Sequence, residues 1–207
     1  MRKLFFLFPL FLFGFFLNSC EGEDDDDGMP TPSTVMDSDG QVYPTLIMAD
    51  GKEWLGQNLL VNVSGSACLV GCATHGREYT WVAAKQACAT LGDGWKLPRV
   101  EDWEALLDAY GERASGSEST SLQWENKVFS DLVVNGVSGF DVLPGASETS
   151  QPGDRATFFW ANTRGKLPAF PDAIEFIYFH ETDQFVGELR IDDDGNTARM
   201  RCRCVKN

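Results

Sequence analysis

The sequence predicts an α+β domain on a mainly antiparallel sheet, with two helices in its first half. Three observations carry this. Asp-Gly turn signals at Asp50-Gly51 and Asp194-Gly195 punctuate short runs rich in β-branched and aromatic residues near both ends. Residues 80–92 and 99–111 instead place apolar side chains at helical spacing. The order is strands, two helices, strands, without the regular alternation of a parallel doubly wound sheet.

The elements follow in chain order. Residues 41–49 and 53–63 flank Asp50-Gly51 and read as a hairpin; 64–76, small and polar, reads as a loop. Thr80 is placed to cap the first helix, whose Trp81, Ala84, Cys88 and Leu91 share one face, with Gly92 as the stop. The second helix begins near Arg99, after Pro98. Val100, Trp103, Leu106 or Leu107, and Tyr110 line one face; Glu101, Asp102, Glu104 and Asp108 take the other, and Gly111 ends it. Acids in the first turn suit the positive end of the helix dipole. Residues 112–125 read as a long Ser- and Gly-rich loop, 140–143 as a strand and 145–155 as a loop. Strands are expected at 156–161, 174–180, 184–191 and 197–205, with Asp194-Gly195 turning the last hairpin. No internal repeat is visible.

The N-terminus has a different texture. Arg2 and Lys3 precede an apolar stretch from Leu4 to Leu17 that closes on Leu17-Asn18-Ser19-Cys20. About 14 residues span about 21 Å as a helix, short of a hydrocarbon core of about 30 Å. The segment therefore reads as a secretory signal. Its ending resembles the lipobox of bacterial lipoproteins, which implies acylation of Cys20 with palmitate-type chains and a membrane anchor there. The run Glu21-Gly22-Glu23-Asp24-Asp25-Asp26-Asp27 repels itself and reads as a solvated spacer. It is similar to the acidic export tag of Bacteroidota surface lipoproteins, which implies an outer-membrane protein facing the cell exterior. The expected organisation is a signal peptide at 1–19, a lipidated acidic tether at 20–36 and one domain at 37–207.

The 207 residues carry a formal charge of −14, and loss of the signal, with Arg2 and Lys3, takes the chain to near −16. Nucleic acid and anionic lipid surfaces both require basic protein surface, so neither is an expected partner. Neutral glycans, cations and basic protein patches are compatible.

Seven stretches then occur in order: Asp37-Ser-Asp-Gly-Gln-Val-Tyr43, Glu53-Trp-Leu-Gly-Gln-Asn-Leu59, Gly76-Arg-Glu-Tyr-Thr-Trp81, Gly94-Trp-Lys-Leu-Pro98 with Asp102-Trp103, Gly139-Phe-Asp-Val-Leu-Pro-Gly145, Phe159-Trp-Ala-Asn-Thr163 and Met200-Arg-Cys-Arg-Cys-Val-Lys206. Together they resemble the Fibrobacter succinogenes major paralogous domain family across nearly all of 37–207. The resemblance implies a secreted or lipid-anchored protein with a C-type-lectin-like fold, the scaffold also used by formylglycine-generating enzymes. The chain departs from the family's pattern at Arg99, where a Ser or Asp would cap the helix better. It departs also at Phe158-Phe159-Trp160, a reduced tryptophan-rich strand, and in the additional Cys68, Cys72 and Cys202.

The same resemblance implies a disulfide between the first helix and the last strand, places held by Cys88 and Cys204. Closing such a loop stabilises by about 4–5 kcal/mol in the chain-entropy model. With Cys20 acylated, the six cysteines leave an odd five. Cys202 can pair with Cys68 or Cys72; alternatively Cys68 and Cys72 pair locally and Cys202 is free.

Other chemistry is sparse. Asp192-Asp-Asp-Gly-Asn196 fails the EF-hand pattern at its sixth and twelfth positions, Thr197 and Arg203, and reads as a hairpin turn. Asp37-Ser-Asp39-Gly40 reads as a turn too. Gln151-Pro-Gly-Asp154 lacks the spacing of a calcium-dependent lectin loop. His75 and His180 are the only histidines and lie far apart. No P-loop, dinucleotide fingerprint or Gly-x-Ser-x-Gly occurs. Cys202-Arg203-Cys204 would place two thiols on one strand face, where they could hold a soft metal or cycle redox state. Among six tryptophans, Trp124, in the loop-rich 112–155 region, is the candidate for exposure and ligand contact. The expectation is a non-enzymatic surface recognition module without cofactor or metal, presenting loops 112–126 and 145–155 to polysaccharide or protein. The alternatives are an envelope enzyme or cysteine-based redox or metal protein, and a purely structural surface protein.

Overall fold

The computed structural model describes residues 33–69, 71–92, 94–114, 122–145 and 155–207. The signal, Cys20 and all but the end of the acidic tether lie outside them, as do 115–121 and 146–154 within the two expected ligand-presenting loops. The architecture is mixed α+β with antiparallel sheets. One sheet contains β1 (Thr34–Met36), β2 (Val42–Ile47), β3 (Glu53–Leu55) and β10 (Val205–Lys206), in the order β1-β2-β3-β10. A second contains β6 (Gln123–Trp124), β7 (Ala156–Arg164), β8 (Ile174–His180) and β9 (Phe185–Ile191), in the order β6-β9-β8-β7. A two-stranded ladder joins β4 (Ser66–Ala67) to β5 (Glu78–Tyr79). The helices are α1 (Cys72–His75), α2 (Trp81–Ala89), α3 (Val100–Tyr110) and α4 (Asn126–Leu132).

Strand β1 begins three residues before the expected domain boundary at Asp37, because Val35 opposite Tyr43 packs against the core. The first hairpin turns at Asp50-Gly51, with Gly51 N donating to Met48 O at 2.9 Å. Beyond Leu55 the chain leaves the sheet. Leu59 N donates to Cys202 O, and residues 56–63 run as irregular backbone where a strand was expected. Residues 64–76 are not a plain loop: Ser66 and Ala67 pair with β5, whose two residues are too few to show a period, and α1 follows.

Both long helices lie where periodicity places them. Thr80 Oγ1 accepts from Ala83 N, and Ala84, Ala87 and Cys88 are buried. In α3, Asp102 departs from the expected solvent face: it is buried, its Oδ2 accepts from Arg99 N at 2.8 Å, and Lys52 Nζ lies 2.6 Å from its Oδ1. The cap that Arg99 cannot supply thus comes from the third helical position. Thr163 Oγ1 satisfies Val100 N as well. At the far end Gly111 lies so close to α4 that a Cβ would stand 2.7 Å from Val128 Cγ2.

Helix α4 was not foreseen; seven residues with Val128, Phe129 and Leu132 buried give one apolar face in under two turns. Residues 140–143 form no strand, since Asp141 adopts a left-handed φ of 52° and only Val142 bridges, to Val133. Residues 197–205 are likewise not one strand. The segment passes between neighbours, with Met200 against Tyr79, Arg201 against Phe159, and Val205 against Lys96 and Trp54. Asp194-Gly195 therefore turns no hairpin, and Gly195 O instead accepts from Val82 N at the start of α2.

The second sheet is buried on both faces, which explains the apolar run Phe176–Phe179 in β8. Phe159, Ile177, Phe179 and Val186 pack with Trp54, Trp103 and Phe140, while Trp160, Phe176 and Tyr178 pack with Tyr79, Ala84 and Cys88. Trp54 and Trp103 have ring centroids 4.9 Å apart.

Candidate functional site

Residues 165–173 connect β7 to β8, and their sequence dictates a tight excursion. Gly165 has φ +67°, and a Cβ there would stand 2.4 Å from Pro171 O, so glycine is required. Gly165 N donates to Ala173 O at 2.9 Å and closes the loop; Phe170 N donates to Leu167 O at 2.9 Å inside it. Pro168 and Pro171 restrict the backbone on either side of Phe170. An aromatic side chain is thereby held out on a stiff loop: Phe170 is 49 % exposed, the only aromatic among the exposed large hydrophobic residues described. The Arg190 guanidinium lies 5.5 Å from its ring centroid. Beside the ring, Ala169, Pro171, Ala173 and the exposed carboxylates Asp172 and Asp192 complete a shallow depression of about 180 Å³.

The loop is anchored from below by charge. Lys166 Nζ lies 2.7 Å from Glu188 Oε1 and also bonds Glu104, whose other oxygen is 3.1 Å from Arg113. Glu188 and Glu175 lie on the face of the sheet that carries Ile177, each 1 % exposed; Glu175 faces Arg190 at 3.7 Å. Burial pushes Glu188 up to about 7, against the pull of Lys166, and raises Glu175 also. Burial is the largest influence on Glu104 and acts upward, but the bond and charge of Lys166, with Glu188 and Arg113, together outweigh it and hold that carboxyl below its ordinary value. Burial would lower the Lys166 ammonium, and its two carboxylate partners more than reverse this. Glu104 and Glu188 hold the same ammonium, so the pair anchors the loop.

Trp124, expected at the surface, is fully buried. Pairing of β6 with β9 draws it inward, its Nε1 donates to Asp108 Oδ1 at 2.8 Å, and Arg113 lies over its ring. The ligand-contact role assigned to it is therefore corrected. Cys88 is bonded to Cys204, and Cys68 to Cys72, leaving Cys202 as a buried thiol. The sulfurs of Cys88, Cys202 and Cys204 lie within 4.8 Å of one another, but the bond between two of them removes the thiolates a metal would need. His75 and His180 stand on different elements, α1 and β8. The acid runs are internally engaged. Asp37 Oδ1 accepts from Asp39 N and Gln41 N, while Tyr43 donates to its Oδ2. Asp193 accepts from Gly195 N and Ala198 N.

A second depression, about 280 Å³, is lined by Gln41, Gln57, Asn58 and Thr74 among others. Its Asn58 amide is committed, donating to His75 O and accepting from Arg203 Nε at 2.7 Å. Phe170 and Arg203 both escaped sequence reasoning. The signal for Phe170 was an aromatic bracketed by two prolines in a turn; for Arg203 it was a cation alternating with cysteines in an apolar context.

What fold and site define is a mixed α+β domain that displays a stiff aromatic loop beside two carboxylates. No helix among the described residues is long and apolar enough to cross a membrane. No family model matches the chain, and neither curated proteins nor solved structures give a significant match.

Proposed function

We propose that this protein is a lipid-anchored, non-enzymatic recognition module of the outer membrane, facing the cell exterior and binding polysaccharide through the 165–173 loop. The observation that carries the reading is Phe170, exposed on a loop locked from within and below, beside Asp172 and Asp192. An aromatic face packs against the C–H surface of a sugar ring, and flanking carboxylates accept from its hydroxyls. Binding on a loop held by a rigid scaffold is the usual economy of such modules. Two carboxylates at the site and a chain charge of −14 favour neutral glycans over uronic or sulfated ones. The lipobox at Cys20 and the acidic run after it support the tether, and the seven motifs support membership of the Fibrobacter succinogenes major paralogous domain family with its C-type-lectin-like fold.

The test is binding of the chain to immobilised neutral and acidic polysaccharides, with calcium and with chelator. Phe170→Ala should weaken binding about threefold to tenfold, the worth of one stacked ring. Asp172→Asn with Asp192→Asn should weaken it further, and chelator should leave it unchanged. Absence of binding across the panel would remove the glycan reading in favour of a protein ligand or a structural role.

A further inference from the structure

We infer that Cys88 has two interchangeable disulfide partners, Cys204 and Cys202, so that the staple between α2 and the C-terminal segment can move by two residues without an external oxidant or reductant. Cys202 Sγ lies 3.3 Å from Cys88 Sγ and 4.0 Å from Cys204 Sγ. Closing the first gap to a bond of about 2.05 Å takes a shift of about 1.2 Å, together with a turn of the side-on sulfurs toward the in-line approach that exchange requires. Among the described residues, the one further partner of Cys202 Sγ is Ala84 O, at 4.0 Å. Its neighbourhood is thus a disulfide rather than a hydrogen-bond network.

The step is an internal thiol–disulfide exchange. Cys202, as the thiolate, attacks Cys88 Sγ, and a Cys88–Cys202 bond forms as the Cys88–Cys204 bond breaks. Cys204 leaves as the thiolate and takes up the proton that Cys202 released. One disulfide and one thiol remain, so no electrons enter or leave. The two linkages close loops of nearly equal length, with sequence separations of 114 and 116, so loop entropy does not choose between them. All three residues have zero exposure, which keeps outside thiols away and confines the exchange to the trio. Burial also raises the Cys202 thiol above its ordinary value, keeping it protonated and the exchange slow in the folded protein.

The test uses the full chain with cysteines trapped by acid quench and alkylation, followed by peptide mapping. Cys204→Ser, refolded in a glutathione buffer whose oxidised form takes up the two electrons, should carry a Cys88–Cys202 linkage and melt within a few degrees of the unaltered protein. Cys88→Ser, which leaves neither linkage, should melt about 8–20 °C lower. Recovery of Cys88 and Cys202 as two free thiols in folded Cys204→Ser would overturn the inference. If that variant fails to fold, the unaltered chain decides after incubation in mild denaturant. A Cys88–Cys202 fraction that grows during incubation, above that of the chain quenched at the start, supports exchange, and its absence overturns it. A soft metal ion retained on three reduced sulfurs would overturn it as well.

Discussion

Arg203 is fully buried and donates to four oxygens from two distant stretches of chain: Asn58 Oδ1, Leu55 O, Phe140 O and Asp141 O. Burial pushes its guanidinium down to about 9, still charged at neutral pH. Only a planar fork meets acceptors set around it in this way, and a lysine cannot. Arg203→Lys should therefore cost about 2–4 kcal/mol in urea unfolding; a loss below about 1 kcal/mol would show that the fork is dispensable. Glu188 gives a pH signature at the same scale. Its carboxyl is raised from 4.5 to about 7, so the folded state holds a proton that the unfolded chain has released in that window. The associated stability is present below the ordinary value and is lost as pH rises through about 7. Glu188→Gln should flatten the fall in urea midpoint between about pH 5 and 8, and an unchanged slope would reject the assignment. Glu104, held low, contributes in the opposite sense and only at more acid pH.

At the scale of elements, the 165–173 loop depends on a backbone conformation and on one ion cluster. Gly165→Ala meets both a left-handed φ and Pro171 O. It should cost about 1–3 kcal/mol and weaken ligand binding by displacing Phe170, whereas Phe170→Ala should weaken binding with stability unchanged. Comparing melting and binding for the two variants checks this; equal stability loss in both would place Phe170 in the core rather than at a site. The elements that sequence made legible are those with strong local rules: the Asp50-Gly51 turn, the Thr80 cap, and the apolar faces of α2 and α3. Those it concealed owe their form to distant partners. Trp124 is drawn inward by β9, α4 is too short for its period to register, and Asp102 is covered by Lys52 from the β2–β3 hairpin. The aromatic loop lay in a stretch that neither periodicity nor motif had singled out.

For the whole molecule, the resemblance implied one long-range fact, the joining of Cys88 to Cys204. It implied neither the local Cys68–Cys72 bond nor the third sulfur against the staple. The expected last strand is instead a segment threaded between other elements. It bridges β5 at Met200 and β7 at Arg201, bonds residues 55 and 59 through Cys204 O and Cys202 O, and ends beside β3. Period-two alternation of arginine and cysteine could not distinguish that path from a plain strand, because both faces are buried. This has a temporal consequence. A nascent chain that stops short of residue 200 lacks the segment that ties the hairpin, the helices and the second sheet to one another. It must remain unlocked until those residues are delivered. Such late completion keeps the parts separate during synthesis and lets the domain close once residues 200–206 are in place.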